Sequence, residues 1–136
     1  MCWSSKLQNL TAQSSCESEF YGLIAATKQA VALRQLLREL GEHEAIEGGT
    51  VVATDNESAI TCSLQPTSLR NRHFCLNVEF VRDNVQTEAI RVHHVSGDEN
   101  PADLYTKSSI SPSKFKQLAA MVMGEACVPT PTVFIR

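Results

Sequence analysis

Five residues, Thr50-Val51-Val52-Ala53-Thr54, run straight into Asp55-Asn56-Glu57-Ser58, and this junction constrains the fold more than any other stretch. β-Branched and apolar side chains on consecutive positions suit a strand buried on both faces, as in the interior of a parallel sheet. The acidic tip leads into Ala59-Ile60-Thr61-Cys62-Ser63, read as a short helix broken before Pro66. Strand, acidic tip and helix form an α/β unit, and in such units functional groups collect at the carboxyl ends of the strands.

The rest of the chain supplies partners for that unit. Trp3 to Thr11 is compatible with the end of a strand. Ser14-Ser15-Cys16-Glu17 then gives the S-x-x-E signature of a capped helix start. Apolar positions Phe20, Leu23, Ile24, Thr27, Ala30, Val31, Leu37 and Leu40 recur at helical spacing as far as Gly41, which is placed as a C′ glycine should be. Between Leu69 and Val85, Arg70, Arg72, His73 and Arg82 stand on one side of Phe74, Leu76, Val78, Phe80, Val81 and Val85, which predicts a helix from about His73. A second strand follows over Ala89 to Val95. Asn100-Pro101-Ala102-Asp103 reads as N-cap, proline at N1 and an acid at N3 of another helix. Ser111-Pro112 opens a last amphipathic helix with Phe115, Leu118, Ala119 and Val122, ending near Gly124. The expected division is a partial domain over residues 1–123 and a loosely ordered tail over 124–136, which carries Pro129 and Pro131.

Composition narrows the function classes. A chain of 136 residues with 43% hydrophobic and 20% charged residues is one ordinary globular domain. With 12 basic and 15 acidic residues the net charge is −3, so the broad positive surface of a strong non-specific nucleic-acid binder is absent. A polyanion would have to be held by a local patch or through metal ions. Cys2, Cys16, Cys62, Cys75 and Cys127 are odd in number and include no CxxC pair, which argues against a disulfide framework or a zinc knuckle. Reduced thiols, with no apolar signal core in Met1 to Lys6, point to an intracellular protein.

Three acids occupy similar stations: Glu19 early in the long helix, Asp55 at the strand tip and Asp103 early in a late helix. Metal-assisted phosphodiester cleavage needs clustered carboxylates, because hard Mg2+ ions take oxygen ligands and two of them about 4 Å apart stabilise the attacking and leaving oxygens. Each acid alone also has a plainer reading. Glu19 is then a solvated residue complementing the helix dipole, Asp103 only an N3 acid, and Asp55 turn chemistry beside a capping box of Thr54 and Glu57.

The wording around these acids resembles the ribonuclease H domain at the end of copia-type LTR retrotransposon polyproteins. Trp3-Ser4-Ser5-Lys6-Leu7-Gln8 and Ser14-Ser15-Cys16-Glu17-Ser18-Glu19-Phe20 are similar to that family's W-S-S-K-K-Q and S-S-T-E-A-E-Y. Ala53-Thr54-Asp55-Asn56-Glu57-Ser58-Ala59-Ile60 is similar to its C-D-N-Q-S-A-I. Arg70-Asn71-Arg72-His73 stands near R-T-K-H, and Asn100-Pro101-Ala102-Asp103-Leu104-Tyr105-Thr106-Lys107 near Q-L-A-D-I-L-T-K. The blocks keep their order over residues 3–123.

The resemblance implies an α/β, ribonuclease H-like fold, a mixed sheet flanked by helices, and two-Mg2+ hydrolysis of the RNA strand of RNA–DNA hybrids. It makes Glu19, Asp55 and Asp103 three of four metal-binding acids and His94 the counterpart of a mobile histidine that assists proton transfer or product release. His93 competes for that role, and a His-His pair at a strand end has a structural or solvent-exposed reading too. Arg70, Arg72 and His73 become phosphate contacts of the hybrid, or else a solvated helix face. The family's first two strands, with the aspartate in a context like Y-S-D-A-D-W-A-G, have no match. The expectation is therefore a domain lacking those strands, with activity impaired unless they are supplied by another polypeptide such as the remainder of the domain or the reverse transcriptase. The alternatives are a non-catalytic scaffold binding nucleic acid or protein, or an inert fragment.

Overall fold

In a computed structural model the described residues are 15–64 and 72–125. Helix α1 (Ser15–Glu39) is followed by a single 3-10 turn (Glu44–Ile46), strand β1 (Thr50–Thr54), helices α2 (Glu57–Leu64) and α3 (Arg72–Gln86), strand β2 (Ile90–His94), the one-turn helix α4 (Asp103–Thr106) and helix α5 (Pro112–Met123). The expected Trp3 strand, Arg70 and the tail beyond Glu125 lie outside the described residues.

Helix α1 stops where its sequence says it should. Gly41 adopts φ +80, Glu42 N–H reaches Leu37 O at 2.9 Å and Gly41 N–H reaches Arg38 O at 3.1 Å. These two bonds close the carbonyls that a helix end leaves open, with a left-handed residue that glycine adopts without a Cβ penalty. Arg34 then fastens the next loop by donating to Ile46 O (3.0 Å), Gly48 O (2.8 Å) and Thr50 Oγ1 (3.2 Å). Gly49 meets Glu88 so closely that a Cβ would come within 2.8 Å of the Glu88 carbonyl oxygen. The entry to β1 is thereby set beside the entry to β2.

The two strands pair in parallel, Thr50 with Ile90 through Thr54 with His94. Because successive side chains alternate in direction, Val52, Val92 and Ile90 share the face turned to the helices. The core joins Phe20, Leu23, Ile24 and Ala30 of α1, Val52 of β1, Ala59 of α2, Val78 and Val81 of α3, and Ile90 of β2. The fold is thus mixed α/β with a small open parallel sheet. Three expectations need correction. The Val51 face of β1 is not buried, since Val51 is 48% exposed and Ala53 is also exposed. The consecutive apolar run reflects one core-facing residue flanked by outward ones. Leu76, grouped above with the apolar side of α3, is 72% exposed, because two residues before Val78 is the opposite side of a helix. Arg82, grouped with the basic side, is buried and pairs with Glu79 at 2.5 Å.

Candidate functional site

The site is built at the carboxyl ends of the two parallel strands. Thr54 pairs with His94 there, and Val95 N–H donates to Thr54 O at 2.9 Å, so the chain leaves both strands side by side. After β1 it turns through Asp55, which is exposed, to Asn56. Asn56 N–H donates to Thr54 Oγ1 (3.3 Å), and Asn56 Oδ1 accepts from Ala59 N–H (2.9 Å). That is an N-cap, with the side-chain oxygen satisfying a donor that the first turn of α2 cannot pair internally. The cap is therefore Asn56 and not a Thr54/Glu57 box. The other end of the same amide, Asn56 Nδ2, donates to Glu19 Oε2 of α1, bringing the first acid beside the residue next to the second.

The third acid enters from the far side of the β2 exit. Loop Ser96-Gly97-Asp98-Glu99 passes close to Asp55, and a Cβ built on Gly97 would lie 3.7 Å from Asp55 Oδ2. Asn100 Oδ1 accepts from Ala102 N–H (3.1 Å), and Asp103 N–H donates to Asn100 O (3.1 Å). Asn100 closes the turn ahead of α4, whose first residue is Asp103 itself, so the acid heads a single turn and is not the N3 residue of a longer helix. Its carboxylate is buried and matched by lysines: Lys107 Nζ at 2.6 Å and Lys114 Nζ at 3.6 Å from Oδ2. Lys114, on α5, also donates to Gly97 O (3.2 Å) and Asp98 Oδ1 (2.9 Å). Hydrogen bonding to Lys114 holds the Asp98 carboxyl below its ordinary range, and the same bond raises the Lys114 ammonium above its own.

The histidines part company. His94 ends β2, half-buried. His93, with 5% of its surface exposed, points to the other sheet face; burial, then the charge of Arg91, push its imidazole below the usual value. Arg72 and His73 open α3.

Glu19 is thus tied to Asn56, the residue after Asp55 at the strand end, whereas Asp103 is engaged by cations of its own chain. Among the described residues no group of three or more His, Cys, Asp or Glu side chains is placed to hold a metal ion. The donors as arranged do not make up a two-Mg2+ centre, which would need oxygen ligands free to approach each ion at about 2.1 Å. Sequence reading missed three residues of this region. Asn56 was legible as a good N-cap just before a helix, and Lys107 stands four residues after Asp103, a spacing at which charges meet on a helix. Nothing in the sequence signals Lys114, since its reach depends on how α5 packs.

Comparison with known proteins decides the broader origin. The chain is 35% identical over 106 residues to the retrovirus-related Pol polyprotein from transposon TNT 1-94 of Nicotiana tabacum, an alignment spanning 77% of this chain and 8% of that protein. Against the retrovirus-related Pol polyprotein from transposon RE1 of Arabidopsis thaliana it is 32% identical over 128 residues, 93% of this chain and 8% of the relative. Its homologues are retrovirus-related Pol polyproteins of plant transposons. The Arabidopsis RE2 polyprotein is a further such homologue, 34% identical over 106 residues, 77% of this chain and 7% of its own length. The chain thus spans less than a tenth of these Pol relatives, and it is retrotransposon-derived. No family model matches it, and no solved structure does. Among the described residues no helix is long and apolar enough to cross a membrane.

Proposed function

We propose that this chain is a ribonuclease H-like segment of a copia-type Pol polyprotein, acting on the RNA strand of RNA–DNA hybrids. Homology to Pol polyproteins supports the origin, and the order of the matching sequence blocks supports the domain. The observation that carries the reading is the Asn56–Glu19 hydrogen bond, formed across 37 residues, which sets the α1 acid at the tip of the parallel strand beside Asp55. In this reading Glu19, Asp55 and Asp103 are the acids of the site, the first two facing the scissile phosphate, with His94 beside Thr54 as the candidate for moving a proton. Arg70, Arg72 and His73 hold the hybrid backbone by charge, independent of base sequence. Mg2+ is the ion the chemistry implies, but the described donors do not form its site, so no catalytic step is assigned to it. Further partners in this reading are the other parts of a Pol polyprotein, including reverse transcriptase.

A second reading is favoured by the lysine pairing of Asp103: a scaffold that retains the hybrid without cutting it. A gel assay of a labelled RNA–DNA hybrid with Mg2+ separates them. Cutting of the RNA strand that Asp55→Asn abolishes supports the nuclease. Salt-sensitive retention of intact hybrid supports the scaffold, and neither cutting nor retention would reject both.

A further inference from the structure

Asp103 presents an unusual state for an acid at such a site. Its side chain is 6% exposed, yet it faces two ammonium groups, Lys107 Nζ at 2.6 Å and Lys114 Nζ at 3.6 Å. Burying a carboxylate is costly unless a partner compensates it, and here the compensation comes from within the chain. Lys114 is itself held: its side chain is 24% exposed, with Asp98 at 2.9 Å and the Gly97 carbonyl at 3.2 Å. Two ammonium groups thus stand against two carboxylates, Asp98 and Asp103, and the local charge closes to zero.

We infer that Lys107 and Lys114 are built-in cations that keep Asp103 closed to a divalent ion. This rests on reading Asp103 as an acid of the hybrid-cleaving site. Mg2+ sits at about 2.1 Å from a carboxylate oxygen, and a cation approaching Asp103 meets two ammonium groups already set against Oδ2. Like charges at that range repel strongly in a partly desolvated setting. Each lysine in place therefore opposes cation entry, and removing either one eases it. Lys114 cannot leave without releasing Gly97 and Asp98, so opening at Asp103 is coupled to freeing the loop that lies against Asp55. Lys107 is the looser member, half exposed and paired with the Asp103 carboxylate four residues before it.

The test is thermal melting of the full chain with Mg2+ or Mn2+ titrated in, a readout independent of cleavage. A cation at free concentration c, bound only by the folded chain, stabilises it by RT ln(1 + c/Kd), so the melting temperature climbs with the cation concentration. The native chain and Asp103→Asn are expected to respond alike. Lys107→Met/Lys114→Met is expected to gain a cation-dependent rise of several degrees that disappears when Asp103→Asn is added. Should the double variant fail to fold, Lys114→Met alone carries the comparison with a smaller rise expected. A cation response of the native chain that Asp103→Asn removes would overturn the inference, and so would lysine variants as indifferent as the native chain. Hybrid cleavage reports on Glu19 and Asp55, so either result can fail while the other stands.

Discussion

Asn56 donates through its side-chain amide to Glu19 and accepts through the same side chain from Ala59 N–H at 2.9 Å, so one residue both caps α2 and fastens α1 to the tip of β1. Asn56→Ala removes both bonds. The expected cost is about 1–2 kcal/mol, read as a lower urea midpoint with unchanged slope. Asn56→Asp keeps the cap but sets a second carboxylate against Glu19, so its deficit should shrink as pH falls through the carboxylate range.

Phe20 is fully buried at the centre of the core, whereas Leu36, on the same helix, is half exposed. Phe20→Ala should destabilise by about 3–5 kcal/mol, and Leu36→Ala should stay within about 0.5 kcal/mol of the native chain. Comparable losses from the two would contradict the placement of the α1 core face.

His93 gives the fold a pH dependence of definite sign. Burial, then Arg91, hold its imidazole below the ordinary 6.5. Protons therefore bind the unfolded chain more readily, and the stabilising contribution is complete above that unfolded value and declines as pH drops below it towards the folded one. Urea midpoints should fall between about pH 7.5 and pH 5.5, and His93→Leu should flatten that part of the profile.

The Lys114–Asp98 pair sets limits at both ends of the scale. Asp98 titrates below 3.8 and Lys114 above 10.5 in the folded chain. The carboxylate contribution is present above 3.8 and lost as pH falls through the Asp98 folded value; the ammonium contribution is present below 10.5 and lost as pH rises through that of Lys114. At neutral pH, Lys114→Met is expected to speed amide hydrogen exchange severalfold across residues 96–99 while leaving α1 unchanged. Equal exchange in the two proteins would show that the lysine does not hold the loop.

Much of the scaffold is legible in the sequence because it rests on local rules. The Gly41 stop ends α1, Ser111-Pro112 and Gly124 bracket α5, and the two runs read as strands form the parallel pair. Exposure was less legible: Val51 and Leu76 read as apolar members of buried sets, but which side of an element meets the core is decided by the neighbours packed on it. At the site, the position of Asp55 at a strand end follows from the α/β pattern. The lysine contacts of Asp103 do not, since Lys114 comes from a helix eleven residues on and reaches it only through the path of the 96–99 loop. Charge pairing across elements is a property of the assembled chain.

The most direct measurement is strand selectivity. Labelled RNA–DNA hybrid, RNA duplex and DNA duplex of one sequence are incubated with the chain and Mg2+, and the products are sized. The hybrid-acting reading requires cuts in the RNA strand of the hybrid alone, absent in Asp55→Asn. Intact RNA in the hybrid, or equal cutting of all three duplexes, would contradict it.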